Sequence, residues 1–489
     1  LPDAPPAALP DLPPRKGVWK RFLLGALIVI VATAGATSVA AIHEVDNIAK
    51  VFNGEFADLR PELAVAGSGK PQTILLIGSD QRAKGARDHE SGARSDTMIL
   101  MRLDPAKNKI ALMSLPRDLK VEIPGKGVDK LNAAYSIGGT KLTLRTIKLF
   151  TGLRVNHVIN IDFGGFRAAV SAIGCVYTDV DRRYYNDNTG ADQYATIDIK
   201  AGYQKLCGQN ALDYVRYRHT DTDIVRAARQ QDFLRQAKAQ VGTDKLIDNQ
   251  KRLAKIVSKY TKSDIKGRVA VLRLLKLAIG SAGSPISEIH FPARIGASYV
   301  TARESAVQKA TREFLGVKAS PGPRGKPQPR SGSKRKRSTP RSSLVDISAA
   351  GRNQALMAAR DVRGLEIFYP RRGVARSMFV TGSSPRAYKI CGPNHGKCHW
   401  SYRMVIARDL LGEYYGLQGT TWKNPPIIKD PSETKKIGGR EYKLYYDGDR
   451  LRLVAWQTKD ATYWVSNTLL QTISERDMLA IARASKPLS

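Results

Sequence analysis

Asp80, Arg94 and Asp96 stand at the two ends of a glycine-bearing stretch, Gln81 to Ala93, between two apolar runs. Two carboxylates at such a loop mouth can hold a divalent cation. Mg²⁺ takes one or two carboxylates, completes its shell with substrate phosphates, and polarises the bond to be broken. Further along, Ser114-Leu-Pro-Arg117-Asp118 follows an apolar run directly. That puts the Arg117 guanidinium at a sheet edge, where α/β proteins bind ligands. Tyr214-Val-Arg216-Tyr-Arg218 alternates as a strand does, so Arg216 and Arg218 are expected on one face. Asp223, Arg226, Arg229 and Gln230 follow, with Arg226 and Gln230 one helical turn apart. Clustered guanidiniums suit two-pronged capture of phosphate oxygens and keep their charge at any working pH. Taken singly, each of these residues reads as half of an ordinary surface ion pair; their shared position at segment ends points to an anion.

The elements that must carry them alternate. Thr73–Ile77, Thr97–Leu103, Ile110–Leu115, Val158–Ile161 and later Ile286–Phe291 are apolar runs of strand length. Lys141–Phe150, Phe163–Ile173, Arg226–Val241, Gln250–Tyr260 and Arg268–Ile279 suit helices. The pattern predicts an α/β domain over residues 68–316, a central mixed sheet flanked by helices. A stretch without acidic residues, Val317 to Ser343, is rich in Pro, Gly, Ser, Lys and Arg and reads as a solvated linker. Beyond it, residues 344–489 carry five β-type stretches, Tyr402–Ala407, Glu413–Gln418, Glu441–Tyr446, Leu451–Gln457 and Thr462–Val465, then a helix from Ser474 to Ala484. A smaller α+β domain is expected there, mostly antiparallel, with a short hairpin turn at Asp447-Gly448-Asp449. Rival chemistries lack their residues: there is no Gly-Lys-Ser phosphate loop, no His-Glu-x-x-His pair and no nucleophile elbow. His157 and His219 read as structural.

Phe22–Ile42 is uncharged and long enough to cross a bilayer core of roughly 30 Å as a helix. Arg15, Lys16, Lys20 and Arg21 precede it, whereas His43, Glu44 and Asp46 follow, so the positive-inside bias predicts a cytoplasmic N-terminus and an extracellular remainder. Residues 1–21 are then a disordered cytoplasmic tail and residues 43–67 an extracellular stem; a cleaved signal has a shorter apolar run. The 489 residues hold 79 Lys and Arg against 44 Asp and Glu, a formal charge of +35. Such a charge acts on any anion, whether nucleic acid, anionic lipid or phosphorylated glycan, and by itself selects no function. An external domain does not ordinarily meet nucleic acid, and no nucleic-acid-reading motif occurs. Outside the cell the four cysteines can pair, with Cys175–Cys207 and Cys391–Cys398 preferred among the three arrangements. A zinc site at Cys391 and Cys398 with His395 between them is the rival, but it is short of a fourth ligand.

Read in order, Gly78-Ser-Asp80-Gln-Arg82, Arg94-Ser-Asp96-Thr97, Ser114-Leu-Pro-Arg117-Asp118, Lys130-Leu-Asn132-Ala-Ala-Tyr135, Ala211-Leu-Asp-Tyr-Val-Arg216-Tyr-Arg218 and Asp223-Ile-Val-Arg226-Ala-Ala-Arg229-Gln230-Gln231 closely resemble the motifs of the LytR-CpsA-Psr family. The resemblance covers residues 72 to 241. It implies a phosphotransferase that moves a glycopolymer from a polyprenyl-diphosphate carrier to a peptidoglycan hydroxyl, with Mg²⁺ or Mn²⁺ as cofactor. By it, Asp80 and Asp96 belong to the metal site. Arg94, Arg117, Lys130, Arg216, Arg218, Arg226 and Gln230 surround the diphosphate, with Arg82 and Asn132 as further candidates. The acid–base residue stays open between Asp118 and Asp223, while Arg117 is near enough to orient the acceptor. The polyprenyl tail would run in an apolar tunnel, and the apolar faces of Leu142–Phe150 and Phe163–Val170 either line it or are plain core. A receptor that binds the lipid-linked glycan without turning it over is the alternative. The second domain is not the usual extension of the family. Its Trp422 and Tyr463-Trp464 read first as core and second as glycan-stacking faces.

Overall fold

The computed structural model describes residues 56–67, 69–79, 95–189, 195–217, 221–241, 260–266, 286–296, 298–316, 344–380, 385–393, 396–408, 413–447 and 450–488, with a few single positions between them. The apolar run Phe22–Ile42 and the basic linker lie outside these residues. Among the described residues no helix is long and apolar enough to cross a membrane.

A mixed six-stranded sheet organises the first half. Its strands are β1 (Gln72–Ser79), β2 (Ser95–Asp104), β3 (Lys109–Leu115), β6 (His157–Asp162), β11 (Thr261–Ser263) and β12 (Ile286–Glu288), in the order β11-β6-β1-β2-β3-β12. A ribbon of β4 (Lys120–Ile123) and β5 (Gly127–Lys130) follows β3, and β7 (Val176–Val180) pairs with β10 (Gly202–Leu206) outside the sheet. Between the latter lie β8 (Tyr184–Asn186) and β9 (Ile197–Ile199), which pair with each other. The helices are α1 (Leu131–Thr151), α2 (Phe163–Ala172), α3 (Gly208–Arg216), α4 (Asp223–Gln240) and α5 (Glu304–Leu315). β1 is apolar on both faces because both are covered. Leu75 and Ile77 share a core with Leu144 and Ile147 of α1 and Phe314 of α5. Ile74 and Ile99 pack on the opposite face, toward Leu234 of α4.

Two expectations change. Tyr214 to Arg216 is helical, the last turn of α3, and Tyr217 leaves it with extended backbone. Ala211, Leu212, Tyr214 and Val215 are buried there, the spacing of one helix face, whereas the alternating stretch Tyr214 to Arg218 runs across the end of that helix. Arg216 and Arg218 therefore do not alternate along a strand, and Arg218 lies outside the described residues. The helix expected from Lys141 begins instead at Leu131, with a break at Gly138 and Gly139, where Gly139 has φ of 59°. Glycine alone holds that conformation without strain, so the pair reads as a stop while the helix resumes.

In the second half, β13 (Arg294–Ile295) pairs with β14 (Val300–Thr301), β15 (Leu344–Asp346) with β17 (Arg372–Val374), and β16 (Phe368–Tyr369) with the C-terminal Lys486–Pro487. An antiparallel sheet follows in the order β18-β20-β21-β25-β24-β23-β22, built from β18 (Ser377–Phe379), β20 (Cys398–Arg408), β21 (Glu413–Thr420), β22 (Glu433–Ile437), β23 (Arg440–Asp447), β24 (Arg450–Gln457) and β25 (Thr462–Ser466). β19 (Arg386–Cys391) pairs with the first part of β20. Helices α6 (Ser348–Asp361) and α7 (Glu475–Ala484) share one core with the sheet through Ala355, Met478, Trp456 and Tyr463. On the other face Trp464, Leu453 and Tyr445 pack against Tyr177 and Tyr203 of the β7–β10 ribbon. Tyr463 and Trp464 are thus both core, pointing to opposite faces.

Polar wiring fixes this junction. Arg403 is fully buried with Nη1 3.3 Å from Asp179, and the indole N–H of Trp464 donates to the same carboxylate at 3.1 Å. Arg235 of α4 pairs with Asp447 of β23. Both expected disulfides form, Cys175–Cys207 and Cys391–Cys398.

Candidate functional site

β1 runs parallel to β6 and antiparallel to β2, and β2 antiparallel to β3, so the carboxyl ends of β6, β1 and β3 lie at one end of the sheet. Ligands of α/β sheets bind at such an end. Ser79 and Ser95 are register partners, so the segment carrying Asp80 and Arg94 leaves and returns there. Asp80, Arg82 and Arg94 lie outside the described residues, as do the side chains of Asp96 and Asp223. The backbone of Asp96 belongs to β2 and that of Asp223 opens α4, behind the Thr222 hydroxyl that caps the Val225 N–H. Among the described residues no three His, Cys, Asp or Glu side chains converge as a cation site. Asp80 follows β1 in sequence and Asp96 belongs to β2, and both carry carboxylates, the oxygen donors that Mg²⁺ takes.

Beyond β3, two of the sequence motifs meet. Asp118 lies 3.4 Å from Arg117 Nε and 3.3 Å from Lys130 Nζ, bridging the two cations. The backbone N–H of Asn132 donates to the Arg117 carbonyl at 2.9 Å, which ties the start of α1 to the end of β3. Lys130 also approaches the Tyr299 ring, 6.0 Å from its centre. Asp118 is therefore engaged with both cations rather than standing alone.

α2, α3 and α4 roof the sheet face that carries Leu76, Gly78, Thr97 and Ile99, enclosing an apolar cleft of about 140 Å³. Phe163 and Phe166 come from α2, Val215 and Arg216 from α3, and Gln230 and Phe233 from α4. Gly78 lets the strands close up there, since a Cβ would stand 3.2 Å from that of Thr97. Arg216 and Asp162 are the only charged groups of the described lining. Arg216 is held by Asp213 at 3.2 Å and lies 5.5 Å from the Phe163 ring centre. Burial pushes the Asp213 carboxyl above its ordinary range, against the opposing hydrogen bonds from Gln209 and Arg216. Gln230 donates to the Thr97 hydroxyl and the Val215 carbonyl, both at 3.0 Å. Arg226, one turn earlier on α4, is buried. Of the two helix segments expected at a tunnel, Phe163–Val170 lines this cleft, whereas Leu142–Phe150 packs on the other face of the sheet.

Three residues that the motifs contain take structural parts. Arg229 is fully buried, pairs with Asp221 and donates to the Tyr217 carbonyl, so it fixes the chain on both sides of Arg218. Gln231 ties α4 to the Ser114 hydroxyl at 2.8 Å. Tyr135 accepts from Asn160 at 2.7 Å, and Asn160 from Ser79 at 2.8 Å, a buried chain ending at the last residue of β1. Asn160 has no sequence signal, being a polar residue within an apolar strand. His157 contacts Asp264 at 2.9 Å and is structural, as its strand-end position suggests.

The profile of the LytR_cpsA_psr family matches residues 31–314. Relatives include the polyisoprenyl-teichoic acid–peptidoglycan teichoic acid transferases TagT and TagV of Bacillus subtilis and TagU of Bacillus cereus. TagT is 29% identical over 54% of this chain and 80% of its own, and TagV 31% over 44% and 56%. TagU is 30% identical over 44% of this chain and 68% of its own. The second sheet lies beyond the family match.

Proposed function

The chain belongs to the LytR_cpsA_psr family, and on that premise we propose that it is a phosphotransferase moving a glycopolymer from a polyprenyl-diphosphate carrier onto a peptidoglycan hydroxyl. One observation carries the reading: an apolar cleft opens at the carboxyl end of the sheet with Arg216 and Gln230 in its lining. That suits a ligand with a hydrocarbon tail and an anionic head. The relatives' printed names, transferases of a polyisoprenyl-linked polymer to peptidoglycan, agree with it.

In this reading the tail enters between the sheet and α2, excluding water from the head group. Arg216, Arg226 and Gln230, with Arg94, Arg218 and Arg82, orient the diphosphate, and Arg117, Lys130 and Asn132 approach it from the β3 side. The acceptor oxygen forms its bond to the sugar-linked phosphorus while the bond to the bridging oxygen breaks, releasing polyprenyl phosphate and placing the glycosyl phosphate on peptidoglycan. Fixed cations stabilise the charge that grows on the leaving phosphate. The acceptor proton passes to a carboxylate, Asp118 or Asp223. Asp80 and Asp96 would hold Mg²⁺ or Mn²⁺, which when bound offsets diphosphate charge. The apolar run Phe22–Ile42 would anchor the chain in the membrane with its N-terminus in the cytoplasm and its catalytic domain outside, on the side where peptidoglycan lies.

The test is release of phosphate-linked product from a synthetic polyprenyl-diphosphate sugar, with and without Mg²⁺. Arg117→Ala and Asp96→Ala should each lower the rate on the order of 10²-fold or more. Tight lipid binding without turnover, even with peptidoglycan supplied, would make the protein a receptor.

A further inference from the structure

The second sheet lies beyond the matched region, yet it holds α4 at three places. Near the start of that helix, Arg229 pairs with one oxygen of Asp221, and Nη2 of Arg182 takes the other at 2.5 Å. The Arg182 guanidinium lies 4.5 Å from the ring centre of Tyr184 and 5.0 Å from that of Tyr414, a half-buried residue of β21. In the middle, Arg235 pairs with Asp447 of β23 as well as with Asp232 of its own helix. Asp447 is buried and is itself fixed, since Gln471 donates to it at 2.7 Å and Arg452 stands 3.6 Å away. At the end, the Gln240 side chain accepts from the Tyr177 N–H at 2.8 Å and donates to the Tyr177 carbonyl at 2.7 Å. The Tyr177 hydroxyl in turn donates to the Cys391 carbonyl of β19 at 2.7 Å.

Between those holds, the same helix presents Gln230, Phe233 and Leu234 to the apolar cleft and buries Arg226. Its buried side chains are mostly polar, Arg226, Arg229, Gln230, Gln231 and Gln236 against Val225, Ala228 and Phe233. Directional polar contacts, more than apolar burial, therefore fix where such a helix sits. We propose that the second sheet is a working part of the transferase site, a splint that sets the position of α4, with Asp447 and Tyr414 as positioning residues. Neither touches the cleft; each acts through an arginine, Asp447 on Arg235 directly and Tyr414 on Arg229 by way of Arg182 and Asp221. The assignment rests on the transferase reading, in which Arg226 and Gln230 orient the donor diphosphate. Groups that orient a substrate work only when the residues behind them are locked in place.

The experiment compares the full-length wild type with Asp447→Asn, Asp447→Asn/Tyr414→Leu and Trp456→Phe, by backbone hydrogen exchange and by steady-state transfer from a synthetic polyprenyl-diphosphate sugar. Asp447→Asn keeps an acceptor for Gln471 and leaves Arg235 on Asp232, so the helix loses a hold without gaining a stranded charge. Amides of α4 should exchange about tenfold faster in it relative to those of β1, as loss of one charged hydrogen bond implies, and faster again in the double variant. The donor KM should rise about tenfold in the double variant, with a smaller change in kcat, because the groups that bind the diphosphate are held less firmly. Asp447→Glu, which restores the charge, should recover part of both effects. Trp456 packs on Phe368 and Tyr463 in the core toward α7, so Trp456→Phe should lower the thermal midpoint and leave the donor KM where it is. Asp447→Asn alone carries the test if the double variant does not fold. An unchanged exchange ratio, an unchanged donor KM, or an equal rise in KM in Trp456→Phe would each overturn the proposal. A wild type that transfers nothing fails the transferase reading rather than the splint, which the exchange ratio decides alone.

Discussion

A guanidinium without access to water must be paired, and Arg229 is such a group. Its partner Asp221 is equally buried, and the rings of Tyr184, Tyr214 and Tyr217 surround it. Arg229→Ala leaves Asp221 with Arg182 as its remaining cation and empties the space among the three rings, so it should cost about 2–3 kcal/mol, read as a lower urea midpoint. Arg229→Lys keeps the charge but not the planar fork that reaches Asp221 and the Tyr217 carbonyl together, so it should recover only part. Asp213 makes a pH prediction. Burial raises its folded pKa above the unfolded value, so its contribution to stability is complete below the ordinary aspartate range and is lost as pH rises through the folded pKa. The wild type should therefore lose more stability between about pH 4 and neutrality than Asp213→Asn does. Parallel profiles would show that Asp213 titrates no differently in the two states.

At the scale of elements, the helices α2, α3 and α4 act together as a roof. α2 is capped by Asp162, whose carboxylate accepts the Gly165 N–H at 2.7 Å, and α3 is stapled to the end of α2 by Cys175–Cys207. α4 then crosses the sheet with Gln230 and Gln231 bonded to β2 and β3. The cleft beneath is narrow. Leu76→Phe should fill it with little loss of stability, on the order of 1 kcal/mol, because the added volume enters open space. Binding of a polyprenyl phosphate should fall steeply in that variant while its thermal midpoint moves little. A variant that binds lipid normally would remove this cleft as the tail site.

At the scale of the molecule, the β7–β10 ribbon and the second sheet share a core and a buried ion pair. Tyr203 packs on Trp464 at 5.5 Å, and its hydroxyl accepts from the Ile427 N–H at 3.2 Å. With Arg403 and Asp179 between them, the halves should unfold together. Asp179→Ala leaves Arg403 buried without its carboxylate and should lower stability by about 3–5 kcal/mol, in one calorimetric transition. Two separate transitions, with only the first shifted, would mean that the halves are stable independently. Through Arg235 and Asp447 the second sheet also touches α4, the helix that carries Arg226 and Gln230.

Local signals determined much of this in the sequence alone. Strands such as β1, β20 and β24 are apolar runs or alternations that only a sheet buries, and the motif residues around Arg117 and Arg226 carry a chemistry that few other patterns carry. The cysteine pairs were legible because few arrangements exist for four. Tyr214 to Arg218 reads as a strand in sequence because its alternation runs across a helix end, where Arg216 closes α3 and Tyr217 leaves it. Which face α1 covers, that Asp118 bridges Arg117 and Lys130, and that Arg229 serves the fold while Arg216 lines the cleft all depend on residues far apart in the chain. The junction is the clearest case: nothing near Asp179 or Arg403 in sequence names the other, and only burial of both at one interface makes them partners.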